Sequence, residues 1–182
     1  MKRFLDLVIA LAALLVLVPV WLLVVVAIAL ESGRPVLFQQ TRLGLRGREF
    51  NMLKFRSMQR GAAGPYFTAA NDSRITRVGR FIRRTSIDEL PQLINVLRSD
   101  MSLVGPRPDV PAQRSLYSDA DWAQRCSVRP GITGLAQALL RSEATEAQRL
   151  ALDLRYTREA SVWFDLKIMG LTVARLSGKG SN

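Results

Sequence analysis

Residues 7–30 form an apolar run of 24 positions without a charge, followed by a body in which apolar residues alternate or recur at helical spacing. A run of that length reaches across a bilayer, which needs about 20 apolar residues. Pro19 stands at its middle, where it removes a backbone donor and kinks a helix. Three readings compete. One is a spanning helix. Another is a secretory signal, with Lys2 and Arg3 as the basic end and Ala27-Ile28-Ala29 as a cleavage site. The third is a re-entrant hairpin that enters and leaves by one face. The run exceeds the roughly 7–15 residues of a signal core. Positive charge lies on both sides of it: Lys2 and Arg3 before, then Arg34, Arg42, Arg46 and Arg48. The positive-inside tendency holds both flanks in the cytoplasm, which a hairpin bent at Pro19 satisfies and a straight span does not. Kinked spans are common, so by residues alone the span stands first, the hairpin close behind and the signal third. Asp6 is expected to pair with Lys2 or Arg3 at headgroup level.

Gly33, Arg34 and Pro35 mark the exit from this run. Residues 36–41 and 49–55 then read as two strands joined by a glycine-bearing link, a small β-hairpin. On the second strand Phe50, Met52 and Lys54 share one face and Leu53 and Phe55 the other, so Lys54 and Arg56 are expected near one place. Residues 61–71 are Gly/Ala-rich and predict a loop. Residues 75–84 predict a helix on which Arg77, Arg80 and Arg84 form one stripe. Phosphate, a carboxylate or anionic lipid opposite them would relieve its repulsion.

Leu90, Leu93, Ile94 and Leu97 follow the i, i+3, i+4, i+7 pattern of a helix with one buried face. Ser86 and Glu89 have capping-box spacing, and Pro91 is tolerated only in a first turn. The spacing therefore predicts Asp88 and Glu89 as exposed first-turn residues. Routine capping explains them better than chemistry does by spacing alone, although that helix end also favours phosphate. Gly105, Pro106 and Pro108 predict a rigid loop presenting Arg107. Arg129-Pro130-Gly131-Ile132-Thr133-Gly134 repeats the arrangement, and two such loops with the arginine stripe suit a diphosphate. Residues 143–175 read as helical, with Trp163, Phe164, Leu166, Ile168, Met169 and Val173 among charges. That pattern suits a core helix or an amphipathic helix in a membrane interface.

Composition narrows the chemistry. The 182 residues allow one modest core. A net charge of +11 points to polyanions, and only 4 of the 26 Lys plus Arg are lysine. Arginine grips phosphate with paired hydrogen bonds, although a GC-rich genome also favours it. There is no histidine, which excludes Ser-His and Cys-His catalysis and His-built metal sites. Cys126 is the only cysteine, so no internal disulfide exists. A divalent metal would rest on carboxylates, which favours a hard ion such as Mg²⁺.

Taken together, several motifs resemble the monotopic phosphoglycosyl transferases, also called the bacterial sugar transferase family. They are Lys54-Phe55-Arg56-Ser57-Met58, Ser86-Ile87-Asp88-Glu89-Leu90-Pro91-Gln92-Leu93, Asn95-Val96-Leu97, Asp100-Met101-Ser102, Val104-Gly105-Pro106-Arg107-Pro108 and the Arg129–Gly134 run. The resemblance runs from Lys2 to about Arg175, and the length matches the family's minimal catalytic form. It implies an α+β, mainly helical fold with a re-entrant hairpin over residues 1–32 and a catalytic domain over 33–182. Amphipathic helices would hold that domain at the cytoplasmic face of the bacterial inner membrane. The family's usual Ser-Pro at the bend is here Val18-Pro19, so one hydroxyl that could satisfy a freed carbonyl is missing.

The resemblance also implies a reaction. Asp88 attacks the β-phosphorus of a UDP-sugar, UMP leaves, and polyprenol phosphate takes the phosphosugar from the aspartyl intermediate. It assigns Glu89 to the acceptor's proton or the metal, and Mg²⁺ to Asp88 and Glu89. Lys54, Arg83, Arg107 and Arg129 would bind phosphate or nucleotide, Arg129 at the uridine end with Gly131 and Thr133 beside it. The partners implied are a UDP-sugar, a polyprenol phosphate and membrane lipid. A membrane-anchored nucleic-acid module is a competing class; it predicts aromatics among the cations, and residues 75–84 hold only Phe81. A lipid-binding protein without activity predicts a broken Asp-Glu pair, yet both residues are present. A polytopic transferase is excluded by the single apolar run.

Overall fold

A computed structural model describes residues 1–61, 72–140 and 145–176. The expected loop at 62–71 and the start of the helical run at 143–144 lie outside the described residues. The apolar run is two helices, α1 (Lys2–Val16) and α2 (Val18–Ser32), bent by 61°. The break falls at Leu17 rather than at Pro19. A proline inside a helix loses a bond and crowds the carbonyl four residues back, whereas in a first turn it costs nothing. Helix α2 therefore begins at Val18 and holds Pro19 in its first turn. Each arm has 15 residues, about 22 Å of helix against a core of about 30 Å. No single helix among the described residues is long and apolar enough to cross a bilayer.

The hairpin's inner face packs on the body. Ala10 of α1 is buried with Met52, Leu93, Val96 and Met101. Val24 and Ile28 of α2 are buried with Phe55 and Ile82. The outer face leaves Phe4, Leu11, Leu15, Val16, Leu22, Leu23, Val26 and Leu30 exposed. Lys2 and Arg3 anchor the entrance. Lys2 pairs with Asp165, and Arg3 donates to the Met101 carbonyl at 2.9 Å. Asp6 is buried 3.9 Å from Arg3 and accepts from the Ser102 hydroxyl at 2.8 Å.

Strands β1 (Leu37–Leu43) and β2 (Glu49–Phe55) pair antiparallel, Leu37 opposite Phe55 and Leu43 opposite Glu49. The first strand runs two residues beyond the predicted end because the turn is confined to the residues around Gly44 and Gly47. The expected meeting of Lys54 and Arg56 does not occur. Arg56 lies past the end of β2 and turns to α2, donating to the Ser32 and Gly33 carbonyls at 2.8 and 2.6 Å.

Helix α3 (Arg77–Arg84) follows, capped by the Thr76 side chain. Ser86 takes a left-handed conformation, φ 56°, and makes no side-chain cap, so the predicted capping box is absent. Residues Ile87–Glu89 form a 3-10 turn, and α4 (Gln92–Leu97) starts only after Pro91. Helix α4 is buried on more than the one predicted face: Gln92, Asn95 and Val96 are buried along with Leu93. The Asn95 side chain accepts from the Leu53 backbone N–H at 3.0 Å and donates to the Asn51 carbonyl at 2.8 Å, fixing α4 to β2.

Two three-residue strands were not predicted: β3 (Ser102–Val104) and β4 (Gly131–Thr133), paired parallel on either side of α5 (Asp119–Arg125). They bring the two Pro/Gly loops together. A Cβ on Gly131 would lie 2.1 Å from the Gly105 nitrogen, and one on Gly134 2.2 Å from the Gly105 oxygen. The helical C-terminal third is α6 (Leu135–Leu139), α7 (Glu146–Glu159) and α8 (Val162–Leu176) rather than one run. The break after Glu159 is marked by Ser161, whose hydroxyl accepts from the Phe164 N–H at 3.2 Å. Tyr156 and Ile168 join Val104 and Leu135 in a third core cluster, while Trp163, Leu166 and Val173 stay exposed on α8.

Candidate active site

Asp88 sits in the 3-10 turn between α3 and α4, held there by the left-handed Ser86 on one side and Pro91 on the other. It is 8% exposed, not the open first-turn residue that spacing predicts. Burial raises its pKa above the ordinary aspartate value. Lys54, Arg83 and Arg107 pull it down and Glu89 pushes it further up. Four residues assigned by the resemblance thus act on one carboxylate: Lys54 from β2, Arg83 from α3, Glu89 from the same turn and Arg107 from the Gly105–Pro108 loop.

Glu89 has the opposite character. Its Oε1 accepts from Lys54 Nζ at 2.7 Å and from Arg107 at 3.0 Å. Although burial alone would raise its pKa, these two cations hold it down to about 2. Asp88 accepts no hydrogen bond from the described residues, and the charges of Lys54, Arg83 and Arg107 act on it instead. Lys54 itself is lowered by burial, an effect that Glu89 partly offsets.

The supports of these side chains escape sequence reasoning because each contact joins distant residues. Ser57 accepts from Arg83 Nε at 2.8 Å and aims that guanidinium. Arg125, buried on α5, donates to the Arg107 carbonyl at 2.6 Å and pairs with Asp109 and, at 2.9 Å, Asp153. Arg42 donates to the Pro108 carbonyl at 2.9 Å. The loop carrying Arg107 is therefore gripped by two arginines. A weak signal for Arg125 is its position in the last turn of a Ser118-capped helix.

The Arg129 group is not gathered with the others. Arg129 donates to the Ser99 carbonyl at 2.9 Å, and its charge acts on Arg3. Gly131 is buried against Gly105, and the Thr133 hydroxyl bonds that of Thr172 at 2.7 Å. These positions hold β4 to β3 and to α8.

Among the described residues no three His, Cys, Asp or Glu side chains gather as a metal cage. Mg²⁺ characteristically takes one or two carboxylates and completes its shell with water and substrate phosphate. Adjacent Asp88 and Glu89, the first accepting no hydrogen bond among the described residues and the second with Oε2 outside its ion pairs there, fit such a partial site.

The chain is 48% identical over 184 residues to the UDP-glucose:undecaprenyl-phosphate glucose-1-phosphate transferase of Caulobacter vibrioides, covering 96% of this chain and 69% of that protein. It is 45% identical over 182 residues to the similarly named transferase of Escherichia coli, where it spans only 39% of the relative. The exopolysaccharide production protein PSS of Rhizobium leguminosarum is 44% identical over 195 residues, with 99% of this chain and 98% of that protein covered. The family described as bacterial sugar transferase matches residues 1–179. Cations from three separate elements converge on the Asp-Glu pair within this match, and the chain belongs to the bacterial sugar transferase family.

Proposed function

We propose that the chain transfers a sugar 1-phosphate from a UDP-sugar to polyprenol phosphate at the cytoplasmic face of the bacterial inner membrane, with Asp88 as the nucleophile. The observation that carries this is a buried carboxylate without a hydrogen-bond donor among the described residues, with the charges of Lys54, Arg83 and Arg107 acting on it. An Asp88 oxygen forms a bond to the β-phosphorus as the bond from that phosphorus to the UMP oxygen breaks, and UMP leaves. The acceptor phosphate oxygen then attacks the same phosphorus, releasing the Asp88 carboxylate and giving polyprenol diphosphate sugar. Lys54, Arg83 and Arg107 supply fixed positive charge where phosphoryl charge spreads.

The surroundings of Glu89 refine its role. A carboxyl held at about 2 is too weak a base to take a proton near neutrality. A phosphate monoester has a second pKa of about 6 and is largely a dianion at pH 7, so the acceptor needs no base. Glu89 instead orients Lys54 and Arg107 and offers Oε2 to a metal. Bound Mg²⁺ would be held by Asp88 and Glu89 and would neutralise diphosphate charge. The exposed outer face of α1 and α2 suits the acyl region of one leaflet, with both ends of the hairpin on the cytoplasmic side. The exposed Trp163 and Leu166 of α8 suit its interface.

Intact-mass measurement of protein mixed with donor alone is expected to reveal an added phosphosugar, and D88N to lack it. UDP-glucose, named in the Caulobacter and Escherichia coli relatives, is the first donor to try, within a UDP-sugar panel read by UMP release. Donor turnover that strictly requires the lipid, with no adduct trapped under any condition, overturns the two-step route.

A further inference from the structure

The last turn of α2 and the first turn of α3 are joined by one side chain. Glu31 accepts from the backbone N–H groups of Arg77 and Val78 at 2.7 and 2.8 Å, one to each carboxylate oxygen. These are two of the donors that a helix start leaves without partners. Ile82 of α3 is buried with Val24 and Ile28 of α2, so α3 also packs along the final turns of the hairpin. Gly79 permits the approach on the other side, since a Cβ there would lie 2.0 Å from the Ser57 carbonyl oxygen. Helix α3 is thus fixed at the level where the hairpin ends.

Its outer face presents Arg77, Arg80, Phe81 and Arg84, all exposed, with Phe81 at 53%. None of the three arginines makes an ion pair among the described residues. Glu31 offsets part of the Arg77 charge, but like charges three and four residues apart repel along a helix, and Arg80 and Arg84 leave the face calling for external anions. Phe81, set among the cations, adds apolar surface that a free anion does not cover. Arginines flanking an inserted aromatic match an anionic lipid surface, where the ring sits beneath the headgroups and the guanidiniums among the phosphates.

We propose that the outer face of α3 is a docking surface for anionic phospholipid headgroups, selecting them over zwitterionic ones. This rests on the membrane reading of α1 and α2 given above. Arg83 of the same helix points the other way, to Ser57 and the charge of Asp88. The lipid-facing and site-facing cations therefore share one rigid element.

The test is lipid selectivity of the full chain reconstituted in phosphatidylcholine bilayers, read from spin-labelled phosphatidylglycerol against spin-labelled phosphatidylcholine. The chain is expected to prefer phosphatidylglycerol at low salt, by up to roughly fivefold for each arginine fully engaged, and to lose the preference as salt rises. R77Q/R80Q/R84Q is expected to bring the ratio close to one, and the single variant R80Q to lower it in part without threatening the fold. Equal preference in the wild-type chain and R80Q, or no preference in the wild-type chain, overturns the proposal. Incorporation into bilayers without lipid preference removes this inference alone. Failure to incorporate into any bilayer removes the membrane reading and this inference with it.

Discussion

Asp88 and Glu89 are sequence neighbours with opposite surroundings, and the difference is set by which of them reaches Lys54 and Arg107. Glu89 takes both cations and stays ionised far below neutrality. Asp88 is buried and has no donor among the described residues, and burial disfavours its charged form. A carboxylate in that state costs stability and is poised for reaction. D88N removes the buried charge while keeping the shape. It is expected to lower UMP release by roughly a thousandfold or more, as loss of a nucleophile does elsewhere, with a melting temperature equal to or above that of the wild-type chain. A fall of several degrees in a thermal scan would instead make Asp88 a fold-holding residue. Motif resemblance alone picks out Lys54, Arg83, Asp88, Glu89 and Arg107. It does not show that Asp88 is buried, because the spacing of Ser86 and Glu89 mimics a capping box. The left-handed Ser86 that breaks this pattern leaves no mark in the sequence.

Elements matter here through the contacts that fix their ends. Helix α3 carries Arg83 toward the site and is seated by Gly79 against Ser57, just past the end of β2. G79A places a methyl group against the Ser57 carbonyl, and backbone cannot yield as a side-chain tip does. The variant is expected to lose on the order of 2 kcal/mol of stability and, through the displaced Arg83, to fall in kcat more than its melting temperature explains. Retained kcat at a temperature where the variant is fully folded argues against that seating. The buried Arg125 links α5, α7 and the Arg107 loop through Asp109 and Asp153. Burial lifts Asp153 to about 6, only partly offset by Arg125. Between about 4, its unfolded value, and 6 the folded chain binds more protons than the unfolded one. Stability contributed by Asp153 is thus fullest at low pH and declines as pH rises through that window. D153N is expected to flatten this segment of the melting temperature against pH, whatever its effect on the absolute value; an unchanged slope assigns the dependence elsewhere. The β1–β2 hairpin and α3 are readable from alternation and helical spacing. Strands β3 and β4 are not, because three residues are too few for a period and their pairing depends on three glycines brought together from distant positions.

At the scale of the molecule, the apolar run is not a detachable anchor. Ala10 packs into the β2–α4 core and Val24 and Ile28 into the β2–α3 core, so the two arms flank the strand that presents Lys54. Polar clamps close both ends: Lys2 and Arg3 at the entrance, Glu31 and Arg56 at the exit. Composition and flanking charge suggest a bend, and Pro19 locates it to within two residues. The inward packing of each arm is not visible in so uniformly apolar a stretch, since every position suits a buried site equally well. This arrangement makes a topological prediction. With both ends clamped to one body, the start of α1 and the end of α2 must lie on the same side of any bilayer, and Leu17 must lie within it. A chain with Cys126 replaced by alanine and single cysteines at Leu17 or Arg34 separates the alternatives in intact cells. A membrane-impermeant maleimide added from outside is expected to label neither position. After permeabilisation it should label Arg34→Cys and, in a further single-cysteine chain, a cysteine-bearing tag ahead of Met1, but still not Leu17→Cys. A spanning helix instead exposes the tag and Arg34→Cys to opposite sides. Labelling of either one in intact cells therefore decides against the hairpin.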